Sequence, residues 1–93
     1  MEFKQLEMFV ALADERHVQR AADRVFRTQP AVSMAIAKLE DEVGSTLFIR
    51  NENFRLTPSG EILCAYAKQL LKLREEATTI LLDRATPHVT LSC

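Results

Sequence analysis

Chain breakers are scarce here: two glycines and three prolines in 93 residues. That is too few for an all-β chain with its frequent turns, and a hydrophobic content of 47% is too high for a disordered one. Cysteine and histidine are equally sparse. Cys64 and Cys93 stand far apart in no CxxC pattern, beside only His17 and His88, so neither a disulfide framework nor a zinc site is indicated. Tryptophan is absent. The aromatics Phe3, Phe9, Phe26, Phe48, Phe54 and Tyr66 do not interleave with basic residues as a stacking platform for single strands would, and core packing is the better reading for most of them. No apolar run approaches a membrane span, and Glu2, Lys4 and Glu7 leave no room for a signal peptide at the start. The expectation is one small, cytoplasmic, soluble domain without a membrane partner, thin enough in its core that a dimer partner adds useful burial.

Neither sign of charge dominates. The net charge of −1 argues mildly against a nucleic-acid partner, but its distribution argues for one. From Arg16 to Lys38 five cations (Arg16, Arg20, Arg24, Arg27, Lys38) face one acid, Asp23, a local +4. Acids gather instead at Asp14 and Glu15 and at Glu40 to Glu42. Since DNA meets a single face, local charge outweighs the total.

Apolar periodicity predicts helices. Leu6, Phe9, Val10 and Ala13 form one face over Phe3 to Asp14. A short second helix over His17 to Val25 turns Val18, Ala21, Ala22 and Val25 inward, with small alanines permitting a close helix crossing. After a tight turn at Phe26 to Thr28, a third helix runs from Gln29 to about Val43 with Val32, Ile36, Leu39 and Val43 inward. Thr28 suits its N-cap, Pro30 its first turn and Gly44 its left-handed end. Leu47 to Ile49 and Phe54 to Thr57 read as a hairpin, a wing, with polar Arg50 to Asn53 between. Thr57 and Pro58 open a last long helix, which Gly60 weakens slightly. Along it Leu63, Tyr66, Leu70, Leu73, Ala77 and Ile80 step by three and four, as in a coiled-coil seam. Ile62, Ala67 and Leu71 lie beside that seam, where they could face the first helix instead.

The fold expected is therefore mainly α: a winged helix-turn-helix, three helices and a two-stranded wing, with a long C-terminal dimerisation helix. Residues 1–57 form the DNA-binding domain, 58–86 the dimerisation helix, and 87–93 a tail or the start of a truncated further domain, Val89, Leu91 and Cys93 alternating like a strand without a sheet. In such a fold the third helix presents its N-terminal residues to a major groove. Gln29 can pair bidentately with adenine, and Pro30, Ala31 and Met34 can touch a thymine methyl; the alternatives are a solvated Gln29 and a Met34 that merely packs. Ser33 and Thr28 suit phosphate oxygens. Arg20, Arg24, Arg27, Lys38, Arg50 and Arg55 are candidate phosphate ligands, with internal pairing to Asp23 or Glu42 an equal alternative for Arg24 and Lys38. Asn51 and Asn53 serve the DNA backbone, the minor groove or the turn itself.

The run AADRVFRTQPAVSMAIAKLEDEVGSTLFIR followed by LTPSG, with FKQLEMFVALAD before it, resembles the N-terminal domain of LysR-type transcriptional regulators, over Met1 to Arg84. The resemblance implies a bacterial transcription factor whose long helices pair antiparallel in a dimer, with tetramers at full length. It also implies a separate C-terminal domain sensing a small effector; no cofactor is expected in this piece. Carried over by position, Thr28, Gln29, Pro30, Ala31 and Ser33 match residues that approach bases and phosphates, and Arg50 matches the wing arginine. Where the family commonly has polar residues after Ser33, this chain has Met34 and Ala35, and Ala37 replaces a frequent basic residue. Two other classes compete with this reading: a helical protein-interaction module using the long apolar helix, and an enzyme. No carboxylate pair, nucleophile elbow, phosphate loop or metal cluster supports the second.

Overall fold

The computed structural model describes residues 1–83; the tail expected at 87–93 and the last residues of the expected dimerisation helix lie outside them. The elements follow as α1 (Phe3–Glu15), α2 (Val18–Arg24), α3 (Gln29–Val43), β1 (Phe48–Ile49), β2 (Arg55–Leu56) and α4 (Pro58–Asp83). The fold is mainly helical, with a two-stranded antiparallel wing pairing Phe48 with Leu56 and Ile49 with Arg55.

Local chemistry sets the boundaries. Helix α1 runs to Glu15, past the break expected at Asp14, and stops at Arg16, whose φ of 57° is left-handed. Thr28 caps α3 by accepting the Ala31 N–H on its hydroxyl at 3.2 Å, satisfying a donor left over at the helix start. Pro30 follows in the first turn, and Gly44, at φ 73°, ends the helix.

The core is Leu6, Phe9 and Leu12 of α1, Ala21 and Ala22 of α2, Val32, Ile36 and Leu39 of α3, and Leu47 and Phe48 of the wing, closed by Cys64 and Ala67 of α4. The two alanines leave α2 no bulk between its backbone and its neighbours, so it packs against both α1 and α3. Three core expectations need correction. Val43 is 42% exposed because α3 outruns the layer beneath it, and Ala35 is buried instead. Ile62 stays exposed, while Cys64, two residues on and so on the opposite side of the helix, takes the buried place. Of the aromatics, Phe9 and Phe48 meet at a tilt with centroids 5.3 Å apart and Phe54 meets Phe48 edge-on at 6.0 Å, but Phe26 is 93% exposed and Phe3 and Tyr66 are also open.

Burial pushes the Cys64 thiol above its ordinary range, an effect that Lys68 opposes and Asp14 reinforces, so the thiol stays protonated and acts as a small apolar filler. Arg74 ties α4 to α1, meeting Glu7 at 2.6 Å and lying 5.1 Å over the Phe3 ring.

Candidate nucleic-acid interface

Capping leaves the amino end of α3 open on its outer side. Gln29, Pro30, Ser33, Met34, Ala37 and Lys38 are exposed there, Ala31 is half-buried and Ala35 is turned into the core. Thr28 is exposed while serving as the cap. The acid-free run from Arg24 to Leu39 keeps this end electropositive, and the helix dipole adds to the attraction for anions.

The candidate phosphate ligands divide. Arg20, Arg27 and Lys38 are exposed and, among the described residues, carry no ion-pair partner. Arg24 is engaged internally, not with Asp23 but with Asp14 at 3.0 Å and Glu15 at 3.4 Å. Its guanidinium turns back onto α1, an arrangement that local spacing along α2 could not show. Both wing arginines already have acidic neighbours: Arg50 meets Glu40 at 3.5 Å, and Arg55 pairs with Glu52 three residues before it. The Arg55–Glu52 pair is at least half exposed on both sides, so a phosphate can compete for Arg55 at little cost, whereas Glu40 is largely buried beside the more open Arg50.

The wing is shorter and tighter than the sequence suggested. Arg50–Glu52 winds into a 3-10 turn, and Asn53 and Phe54 both take left-handed backbones at φ 58° and 52°. For Phe54 that conformation is costly, by about 1–2 kcal/mol; Asn53 tolerates it. Two residues absent from the expected site hold it in place. Arg16 donates to the Asn53 carbonyl at 3.0 Å and the Glu52 carbonyl at 3.2 Å, and Glu40 accepts the Leu47 N–H at 2.8 Å while meeting Arg50. Neither carried a sequence signal beyond its charge, because both act across the fold. Replacing Arg16 with alanine is expected to remove about 1 kcal/mol of wing stability and to speed amide exchange at Ile49 and Arg55, with Arg16→Lys partly protective. Unchanged exchange rates at those amides would show that the wing holds itself.

On α4 the seam residues are open in the single chain: Tyr66 and Leu73 about 60% exposed, Leu70 and Ile80 near 40%, and Ala77 exposed. Leu63 is the exception, half-buried against the core. Ile62, Leu81 and Leu82, outside the seam as drawn, are exposed as well. Every residue from 72 to 83 is exposed, so among the described residues the far half of the helix has no apolar cover.

Two helices joined by a tight turn, a wing and a rod-like last helix define a winged helix-turn-helix domain. The chain belongs to the LysR family of bacterial regulatory helix-turn-helix proteins, whose family model matches residues 3–61. It is 44% identical over 72 residues to the HTH-type transcriptional regulator HdfR of Yersinia pestis (strain Pestoides F), covering 76% of this chain and 25% of that protein. The chain thus spans about a quarter of the length of the curated relatives it matches. Its fold is similar to that of the BenM DNA-binding domain in complex with catB site 1 DNA, with a TM-score of 0.88 and 32% identity over 95% of this chain and 100% of that one. It is also similar to Vibrio fischeri DarR in complex with DNA, with a TM-score of 0.84 and 36% identity over 91% of this chain and 30% of that one. Among the described residues no helix is long and apolar enough to cross a membrane.

Proposed function

We propose that this chain binds double-stranded DNA sequence-specifically as the reading head of a LysR-type transcriptional regulator, and that it is not an enzyme. The amino end of α3 enters the major groove, with Gln29, Pro30, Ala31, Ser33 and Met34 toward the bases. Thr28, Arg20, Arg27 and Lys38 take phosphates, and Arg50 and Arg55 bring the wing to the backbone or the minor groove. Arg24 is withdrawn from that set, being held by Asp14 and Glu15. The observation that carries the reading is the open, capped, acid-free start of α3 beside unpartnered cations.

The chain acts as a dimer. A helix of 26 residues, about 39 Å long, whose far half has no apolar cover among the described residues gains stability from a partner. The exposed row from Tyr66 to Ile80 supplies the face for a second copy. Two heads then meet half-sites of an interrupted palindrome about one turn of duplex apart, or a multiple of it. In a longer protein, a further C-terminal domain supplies effector sensing and tetramer contacts, and the working compartment is the cytoplasm.

A mobility-shift titration in rising salt tests the reading. Arg27→Ala and Arg20→Ala are expected to weaken binding on all duplexes alike and each to lower the salt slope by about one unit. Arg24→Ala should leave the slope nearly unchanged. A folded chain showing no salt-sensitive DNA binding would favour the protein-interaction alternative.

A further inference from the structure

The exposed ridge of α3 is unusually poor in hydrogen-bonding groups. Pro30, Met34 and Ala37 lie four and three residues apart, and therefore on one helical face. Met34 is 63% exposed and Ala37 is also open, whereas Ala35, which has no place on this ridge, is buried. The polar groups beside the ridge are Gln29 and Ser33 in the first turns and Lys38 further along. Nothing in the fold of the single chain requires an open methionine there.

Base edges in the major groove are donors and acceptors with one exception, the C5-methyl group of thymine. We propose that this ridge, through Met34 above all, reads C5-methyl groups, so that the target carries a methylated pyrimidine, thymine or 5-methylcytosine, at the steps beneath Met34. The inference rests on the DNA-binding reading and deepens it. The choice of DNA over a protein partner follows from the setting: the methionine sits between Arg27 and Lys38 in a run without a single acid, next to the capped amino end. A flexible thioether chain follows the contour of a methyl group closely. Unmethylated cytosine gives Met34 no methyl group to bury, so it forgoes the apolar contact that thymine and 5-methylcytosine both offer.

The test uses the 93-residue chain and duplexes that it selects from a random pool. Each thymine of the selected half-site is replaced in turn by uracil, which removes one methyl and leaves the pairing intact, and binding is followed by fluorescence anisotropy. At one or two positions per half-site the affinity is expected to fall about four-fold, the factor for exposing one methyl-sized group. Cytosine there should bind more weakly than 5-methylcytosine. In Met34→Ala, whose exposed position leaves folding intact, the uracil effect should vanish while salt-sensitive binding persists. Equal binding of thymine and uracil duplexes, with salt dependence intact, overturns the methyl reading alone. A uracil effect that survives in Met34→Ala overturns the assignment to Met34. No salt-sensitive duplex binding at all overturns both this inference and the DNA-binding reading beneath it.

Discussion

Gly60→Ala is expected to destabilise the domain by about 3 kcal/mol, a fall in melting temperature of roughly 10–20 °C for a domain of this size. Helix propensity alone predicts the opposite, since alanine favours a helix over glycine by about 1 kcal/mol. The structure decides between them. A Cβ on residue 60 would stand 2.2 Å from the Leu47 carbonyl oxygen and 3.1 Å from its carbon, and both are backbone atoms that cannot swing aside. That carbonyl is fixed from two directions: it accepts the Thr57 N–H at 3.0 Å, and Leu47 donates its own N–H to Glu40 at 2.8 Å. Thr57 completes the junction, accepting the Gly60 N–H at 3.0 Å and donating to the Thr46 carbonyl at 2.7 Å. The LTPSG run is thus a seat in which the start of α4 rests against the strand leading into the wing. Thermal unfolding followed by far-ultraviolet circular dichroism checks the sign. A melting point at or above that of the parent would mean that the seat can open at no cost.

The second large effect is expected from Leu73→Glu. Leu73 is 60% exposed and takes no part in the core, so the single chain should tolerate the change and keep its helical signal. Between two copies the same glutamate would be an unpaired charge in an apolar seam, enough to separate them. Sedimentation should then report a monomer. Because the second half-site is no longer engaged as an intramolecular event, binding to a two-half-site duplex should weaken by about two orders of magnitude or more, while binding to a single half-site should change little. An unaltered dimer in the centrifuge would show that the copies pair through some other surface, for which the open Ile62, Leu81 and Leu82 are the next candidates.

What the sequence disclosed was mostly local. The start and end of α3 were legible because Thr28, Pro30 and Gly44 each act within one turn of their own position. The exposed row Tyr66, Leu70, Leu73, Ala77 and Ile80 on α4 was legible as a regular spacing of four and three residues. What escaped depended on where neighbours end. A period of 3.6 residues cannot choose between Val43 and Ala35 as core members, since that depends on how far the layer beneath α3 extends. The partners of Arg24 sit on another helix, ten and nine residues back in the chain. The wing looked like an ordinary hairpin because nothing in Asn53-Phe54 announces two successive left-handed residues, and Arg16, which braces the Glu52 and Asn53 carbonyls, lies 36 and 37 residues before them. For the interface itself, residue types suggested the chemistry of Gln29, Ser33 and Met34, but only the coordinates separate cations that are free from cations already engaged.

One property of α4 has a bearing on the duplex itself. Its first turns are rooted in the domain through Gly60, Cys64 and Ala67, and it continues without interruption to Asp83. The head is therefore welded to its rod, with no hinge between them. In a pair of such rods the separation of the heads behaves like a fixed gauge. An operator whose half-sites depart from that gauge must itself flex to meet it, so the stiffness of the bases between the half-sites, which no side chain touches, enters the binding energy.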